Sequence, residues 1–134
     1  MIFGIGIDTI EVSRIAKQLS EDERFTRRVF TEREIEYCEG MRHAAEHYAA
    51  RFAAKEALLK ALGTGLRGPM KWTDMEVLKD DVGRPEIRVS GHVRELVEQT
   101  GPFRIHVSLT HINETASAVI IIETQDTAAG ETKT

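Results

Sequence analysis

The segment from residue 43 to residue 62 constrains the fold of this chain most strongly. It is rich in alanine and leucine, contains no proline or glycine, and is followed by Gly63 and Gly65. Such a segment predicts one long α-helix that ends at the first glycine. Its apolar stripe at helical spacing consists of Ala45, Ala49, Phe52 and Leu59. Glu56 falls on the same stripe, so we expect this carboxylate to face the interior.

Shorter helices are predicted before this segment, after an initial strand. Residues 2–7 are apolar and glycine-punctuated and predict a buried strand that ends at Asp8. Three helix-start patterns follow, each with a capping residue three positions before a glutamate. They are Asp8 with Glu11, Ser20 with Glu23, and Thr31 with Glu34. Gly40 is expected to close the third helix.

The second half of the chain favours strands joined by short turns. Strands are predicted at residues 73–78, 85–89, 103–110 and 117–123, with a helix at residues 90–100. The turns between them contain the glycine, asparagine and aspartate residues that tight turns prefer. Because helices precede most of the strands, we predict an α+β fold: a mainly antiparallel sheet packed against one long helix and several short helices.

Size and composition indicate a single domain. With 134 residues and 41% hydrophobic residues, the chain suits one core, expected at residues 1–123, with a disordered polar tail at residues 124–134. The net charge of −4 argues against nucleic acid as a partner. The longest apolar run, residues 118–122, is too short to cross a membrane. Since the N-terminus also lacks a signal-peptide pattern, we expect a cytoplasmic protein.

Asp8 and Glu56 are candidate metal ligands, and each also has a simpler structural interpretation. Glu56 stands four residues before Lys60, the arrangement of an ordinary helix salt bridge. Asp8 stands where helix N-caps are common. Two carboxylates with water would also suit Mg²⁺, a hard cation that keeps several waters and leaves room for phosphate oxygens. Spacing alone favours the structural interpretation of each residue.

Two further polar groups are candidates for ligand or partner binding. His106 and Ser108 share one face of a predicted strand, which suits either a phosphate group or plain solvation. Basic residues are frequent near the N-terminus, where they suit either an acidic partner or a solvated helix face. These basic residues are Arg14, Lys17, Arg24, Arg27 and Arg28.

Several motifs, taken in order, resemble those of one enzyme family. They are Gly4-Ile5-Gly6-Ile7-Asp8, Arg14-Ile15, Arg51-Phe52-Ala53-Ala54-Lys55-Glu56-Ala57, Lys60-Ala61, Trp72-Thr73-Asp74-Met75-Glu76-Val77, Gly83-Arg84-Pro85 and His106-Val107-Ser108-Leu109-Thr110-His111. In order and spacing they closely resemble the short, single-domain holo-acyl-carrier-protein synthases over residues 1–123. The stretch at residues 51–57 is the most specific motif, and it favours the functional interpretation of Asp8 and Glu56.

The resemblance implies a 4'-phosphopantetheinyl transferase fold and a homotrimer with coenzyme A bound between subunits. The implied enzyme moves 4'-phosphopantetheine from coenzyme A to a serine of apo-acyl carrier protein and releases adenosine 3',5'-bisphosphate, in support of fatty acid or polyketide biosynthesis. Asp8 and Glu56 would hold Mg²⁺ and act in catalysis with Lys60. The implied coenzyme A contacts are Arg51, Lys60, Gly63, Gly65, His106 and Ser108. The implied carrier-docking residues are Arg14, Arg24 and Arg28.

Some functional details stay open at the level of sequence. The acceptor of the serine proton is Glu56, Asp8 through a metal-bound water, or water alone. His111 receives no role, because Ile112 stands where some relatives carry an aspartate. Two other functions compete: a metal-dependent phosphohydrolase would release phosphopantetheine without carrier protein, and a non-catalytic module would bind carrier protein without Mg²⁺.

Overall fold

The computed structural model describes residues 1–125, which form an α+β fold. The helices are α1 (Val12–Glu21), α2 (Glu23–Val29), α3 (Glu32–Glu39), α4 (Ala44–Leu62) and α5 (Gly91–Glu98). The strands are β1 (Ile2–Glu11), β2 (Met75–Lys79), β3 (Pro85–Val89), β4 (Phe103–His111) and β5 (Thr115–Thr124), and a short 3₁₀ helix covers Trp72–Asp74. The predicted fold class, with one long helix and several short ones, is confirmed.

The strands form two antiparallel sheets. A three-stranded sheet has the order β1-β5-β4, and β2 pairs with β3 in a separate hairpin. The first strand of the chain therefore pairs with the last, and the register runs from Ile2 opposite Glu123 to Glu11 opposite Thr115. Thr124 belongs to β5 and not to the predicted tail at residues 124–134. The rest of that predicted tail, from residue 126 onward, lies outside the described residues.

Helix α4 is covered on most of its circumference. It packs against β1 and β5 of the three-stranded sheet and against α1 and α3. Ala53, Ala54 and Leu58 are fully buried, whereas Phe52 and Glu56 are only partly buried. The prediction that Glu56 lies on the buried stripe is therefore confirmed only in part. Alanines fill every side of this helix, so its pattern does not single out the inward face.

Two predicted helix starts near the N-terminus are also wrong. Strand β1 continues through Asp8 to Glu11, and α1 begins only at Val12. The reason is that β5 pairs with β1 along this stretch, with Asp8 opposite Ala118, and strand pairing overrides a local cap signal. Helix α2 is capped not by Ser20 but by Asp22, whose side chain accepts the Arg24 N–H at 2.9 Å.

The third predicted helix start is confirmed, and so is its end. Thr31 and Glu34 form a reciprocal capping box at the start of α3, and Gly40 is the C-cap. The predicted long helix is confirmed to within one residue at its start, and Gly63 caps it with a φ of 80°. No helix among residues 1–125 is long and apolar enough to span a membrane.

Candidate active site

Two glycines bring β1 directly onto the backbone of α4. A Cβ placed on Gly6 would lie 1.8 Å from the carbonyl oxygen of Ala57, and one on Gly4 would lie 2.0 Å from that of Ala61. Only residues without a Cβ allow this approach. Since alternate residues of a strand share a face, Asp8 follows Gly4 and Gly6 onto the helix side. The glycine spacing thus explains how the sequence brings Asp8 to α4.

Asp8 meets α4 at Lys60. The Lys60 ammonium donates hydrogen bonds to Asp8 Oδ1 at 3.0 Å and to the backbone oxygen of Ile7 at 3.0 Å. The Asp8 side chain is 16% exposed and the Lys60 side chain 55% exposed. Within residues 1–125, Lys60 makes its ion pair with Asp8 and not with Glu56, so the simple helix salt bridge considered above does not form. We call Asp8, Glu56 and Lys60 the carboxylate–lysine cluster.

Glu56 completes this cluster and carries a raised pKa. Partial burial is the main cause of the rise, the Asp8 carboxylate adds to it, and Lys60 opposes it. The two carboxylates are therefore close enough to repel each other, and one ammonium does not balance them. A divalent cation would relieve this repulsion.

The donor atoms of this cluster fit Mg²⁺. Carboxylate oxygens are the protein ligands that Mg²⁺ prefers, usually one or two of them, with waters and substrate phosphates completing the octahedron. Among residues 1–125, no group of three or more His, Cys, Asp or Glu side chains comes together to cage a metal. Two ligands with open positions suit a metal that shares its shell with a phosphate.

We expect Glu56→Gln to raise the melting temperature of the Mg²⁺-free protein at pH 7 by about 1–3 °C. The raised pKa means that the folded state holds this proton more tightly than the unfolded chain. Stability from this group is thus present at low pH and is lost as pH rises through the folded pKa. Thermal denaturation between pH 4 and pH 7 should show the gain shrinking toward pH 4. A Glu56→Gln variant that melts below the wild type at pH 7 would contradict the raised pKa of Glu56. The control is Glu36→Gln, at an exposed site.

Gly63 and Gly65 lie at the C-terminal end of α4. Gly63 has the left-handed backbone conformation, and a Cβ on Gly65 would find open space. A surface cavity of about 340 Å³ lies beside them and includes Phe3 and Thr64 in its wall. These glycines therefore leave the backbone accessible at the end of the helix that carries Glu56 and Lys60.

Arg51 lies elsewhere on α4 and is not part of the carboxylate–lysine cluster. Its guanidinium stacks over the ring of Tyr37 at 4.3 Å, and Nη1 donates to the His47 backbone oxygen at 3.4 Å. Only 3% of the residue is exposed, and its buried Nε has no partner within residues 1–125. The structure thus places Arg51 on the α3 side of the long helix.

His106 and Ser108 lie on the opposite face of the three-stranded sheet from Asp8. Their partners in β5 are Ile121 and Val119, which pair in turn with Ile5 and Ile7. We call this side, which faces away from α4, the outer face. A single chain therefore does not bring His106 or Ser108 to the carboxylate–lysine cluster.

The outer face combines polar groups with exposed apolar ones. Ile5 and Ile7 are 59% and 60% exposed. The His106 ring nitrogen Nε2 lies 2.9 Å from Glu123 Oε1, and this hydrogen bond lowers the pKa of Glu123. His111, at the end of β4, instead bonds through Nδ1 to Glu46 Oε1 at 2.8 Å and so ties the sheet to the start of α4.

Arg14 lines a groove that sequence reasoning missed, whereas Arg24 and Arg28 are not in its wall. Arg14 lies on α1 and Arg24 and Arg28 lie on α2. The groove has a volume of about 410 Å³, and its wall includes Arg14 and Phe25 together with Phe52 of α4. Because Phe52 stands one helical turn before Glu56, the groove leads toward the carboxylate–lysine cluster. The sequence signal that could have indicated this groove was Phe25 and Phe52, two aromatic residues far apart in the chain.

Comparison with known proteins now identifies the family. The sequence profile of the 4'-phosphopantetheinyl transferase superfamily matches residues 4–122. The chain belongs to this superfamily. It is 47% identical over 124 residues to a holo-[acyl-carrier-protein] synthase of Geotalea daltonii, covering 92% of this chain and 99% of that one. A Clostridium tetani holo-[acyl-carrier-protein] synthase is also 47% identical, and the match covers 92% of this chain and 97% of that one.

Solved structures of this superfamily share the fold. A holo-(acyl-carrier-protein) synthase from Bacillus anthracis, in complex with CoA (3',5'-ADP), is 38% identical with a TM-score of 0.78, covering 93% of this chain and 99% of that one. The Neisseria meningitidis holo-[acyl-carrier-protein] synthase is 30% identical with a TM-score of 0.83, and the match covers 92% of this chain and 100% of that one. The family resemblance predicted from the motifs is confirmed.

Proposed function

We propose that this chain is a holo-[acyl-carrier-protein] synthase, which transfers 4'-phosphopantetheine from coenzyme A to a serine of apo-acyl carrier protein in the cytoplasm. The observation that carries this proposal is the carboxylate–lysine cluster, which lies near the groove that Arg14 and Lys17 line. Its two carboxylates are suited to hold Mg²⁺ and its ammonium to bind a phosphate, and the basic residues of the groove are suited to an acidic protein. The full-length similarity to synthases of this activity supports the proposal.

In the reaction, the oxygen of the carrier serine attacks the β-phosphorus of coenzyme A. The bond from that phosphorus to adenosine 3',5'-bisphosphate breaks, and the phosphopantetheine remains on the serine as a phosphodiester. The serine proton passes to a carboxylate or to water. Transfers of this kind depend on positioning and on neutralising charge more than on covalent participation of the protein.

The residues of the cluster take separate roles in this scheme. Asp8 and Glu56 would hold Mg²⁺, which when bound neutralises charge on the diphosphate. Lys60 donates to Asp8 in the ligand-free protein, and its half-exposed ammonium can reach a phosphate oxygen. Gly63 and Gly65 let the ligand approach the backbone. The buried Arg51 lies on the α3 side of α4, away from the cluster of its own chain, so we assign it no phosphate contact there.

We further propose that coenzyme A binds between two copies of this chain in a homotrimer. His106 and Ser108 face away from the carboxylate–lysine cluster of their own chain, so they are available to a neighbouring one. The exposed isoleucines Ile5 and Ile7 on the same outer face are suited to burial against a second copy. One site would then combine Asp8, Glu56 and Lys60 of one subunit with His106 and Ser108 of another.

Arg14, Arg24 and Arg28 are proposed to dock the carrier protein. Arg24 is exposed, and its ion pair within residues 1–125, to Asp22 at 3.5 Å, can be exchanged for one with a carboxylate of a partner. Arg14 lines the groove and Arg28 lines a separate cavity on α2, and arginine matches acidic groups in geometry and charge. We place the catalytic domain at residues 1–123.

The deciding experiment is to incubate the protein with coenzyme A, Mg²⁺ and apo-acyl carrier protein and to measure the intact mass of the carrier. We expect a gain of one phosphopantetheine that a chelator abolishes. Phosphopantetheine released without carrier would instead identify a phosphohydrolase. Carrier binding without transfer or Mg²⁺ dependence would identify a docking module. Several carriers and a proven transferase as positive control make a negative result informative.

Mixing two inactive variants should restore activity if the site is shared between subunits. Asp8→Ala and His106→Ala each damage one half of the site. After co-refolding in equal amounts, about a quarter of all sites, or about one in three in the mixed trimers, would receive both intact halves. The measurement is the initial rate of the mixture against the sum of the separate rates. Absence of any gain, with a mixed trimer shown by native mass spectrometry, would place both residues in one chain's site.

A further inference from the structure

A fully buried ion pair between Lys55 and Glu34 joins α4 to α3. The Lys55 ammonium donates to Glu34 Oε1 at 2.7 Å and to the backbone oxygen of Val29 at 2.6 Å. Both side chains are 0% exposed. Lys55 lies inside the most specific motif of the sequence, yet it takes no part in the carboxylate–lysine cluster.

The pair is satisfied by partners from several elements. Glu34 Oε1 also accepts the Thr31 N–H at 2.9 Å, and Glu34 Oε2 accepts the Val77 N–H at 2.9 Å. The Lys55 ammonium lies 5.2 Å from the centre of the Phe30 ring. Burial lowers the pKa of Lys55, and Glu34 opposes this effect. One side-chain pair thereby connects α4, the end of α2, the start of α3 and β2.

Such a pair determines geometry more than it adds stability. Removing two charges from water is costly, so a buried pair is often no more stable than apolar residues of similar volume. Its hydrogen bonds, however, are satisfied in only one arrangement of the surrounding elements. The pair therefore fixes how α2, α3 and β2 are arranged around Lys55.

The position of α2 matters because this helix carries two of the proposed docking arginines. It contains Arg24 and Arg28 and has only seven residues, and its last residue is Val29. The hydrogen bond from Lys55 to the Val29 oxygen thus holds the end of α2 next to Arg28. Lys55 directly precedes Glu56 in α4. The hydrogen bond to Val29 therefore fixes the distance between the arginines of α2 and the carboxylate–lysine cluster.

We propose that the Lys55–Glu34 pair is a positioning device that holds the docking helix α2 at the distance from Glu56 that the carrier serine must span. This inference rests on the proposed function. The pair touches neither coenzyme A nor the carrier, and it acts through the placement of Arg24 and Arg28. Its loss should therefore impair use of the carrier more than use of coenzyme A.

The test is the double variant Lys55→Met/Glu34→Gln, which removes both charges and leaves no unpaired buried ion. We expect KM for the carrier to rise about tenfold or more, since misplacement by about 1 Å is enough for such losses. KM for coenzyme A should stay within about twofold. If the double variant does not fold, Lys55→Gln/Glu34→Gln is the milder test, because it keeps a hydrogen-bonding group at both positions while the shorter side chain at position 55 no longer reaches the Val29 oxygen; KM for the carrier should still rise.

The matched control is Tyr48→Phe, which removes a different, partly buried hydrogen bond between α4 and α3. The Tyr48 hydroxyl donates to Glu39 Oε2 at 2.7 Å, and Tyr48 is 1% exposed. This variant should lower the melting temperature without changing KM for the carrier. Arg28→Ala should raise that KM in the wild type but much less in the double variant, because both changes act through α2.

The outcomes separate this inference from the proposed function. An active wild type whose double variant shows equal changes in both KM values, or none, overturns the positioning role alone. An equal rise in carrier KM for Tyr48→Phe also overturns it, since loss of stability would then suffice. A wild type that transfers nothing to any carrier overturns the proposed function and the inference with it.

Discussion

Replacing either carboxylate, as Asp8→Ala or Glu56→Ala, is expected to lower turnover by about 10²-fold or more while leaving the fold intact. Each change removes one of the two proposed protein ligands to Mg²⁺. The Asp8 change also frees Lys60, which pairs with Asp8 at 3.0 Å. Initial rates of carrier modification, followed by intact mass at saturating coenzyme A, measure the effect. Circular dichroism tests the fold.

The metal role can be separated from other roles of these carboxylates. Mg²⁺ with coenzyme A should raise the melting temperature of the wild type, because a ligand that binds only the folded state stabilises it. Both variants should lose most of that shift. Glu36→Ala, at an exposed site on α3, should keep both turnover and shift. Near-normal turnover in both carboxylate variants would rule out the metal assignment.

Replacing Gly6 with alanine is expected to destabilise the protein by about 3 kcal/mol or more. The new Cβ would lie 1.8 Å from the carbonyl oxygen of Ala57 and 2.8 Å from its carbon. Both contacts are with helix backbone, which cannot rotate away as a side chain could, so β1 and α4 must separate. We expect a melting temperature lower by about 10 °C or more, or an insoluble product. Thermal denaturation of the purified variant and wild type measures this difference in melting temperature.

Gly40 provides the control for this prediction. A Cβ on Gly40 would lie 3.5 Å from the Tyr37 oxygen, an ordinary contact, and the backbone φ of −80° suits alanine. Gly40→Ala should change stability by no more than about 0.5 kcal/mol. If Gly6→Ala melts like Gly40→Ala, the close approach of β1 to α4 would be incorrect, and with it the placement of Asp8.

Local signals in the sequence predicted local structure well. The Thr31–Glu34 capping box, the end of α3 at Gly40 and the end of α4 at Gly63 are confirmed, because each depends on residues within a few positions. The start of α1 was wrong because β5, more than 100 residues later, extends β1 past Asp8. Pairing at that distance leaves no trace in a short window of sequence.

The candidate site was predictable as a set of residues but not as a geometry. The motifs supplied Asp8, Glu56 and Lys60, whereas spacing alone favoured a salt bridge from Lys60 to Glu56. The observed partner of Lys60 is Asp8, on another element. The buried Lys55–Glu34 pair was equally invisible, because a lysine in an alanine-rich helix does not reveal which segment will cover it. The fold determines both partners.

The pairing of β1 with β5 has a consequence for how the protein is made. Within residues 1–125, β1 forms its sheet hydrogen bonds only with β5, which leaves the ribosome after the other strands of this region. A nascent chain that lacks residues 115–124 has synthesised every residue of the carboxylate–lysine cluster but cannot complete the sheet that holds Asp8 in place. Contacts so far apart in the chain form late in folding. Catalytic competence should therefore appear only after residues 115–124 have been made, and products that terminate before them should remain inactive.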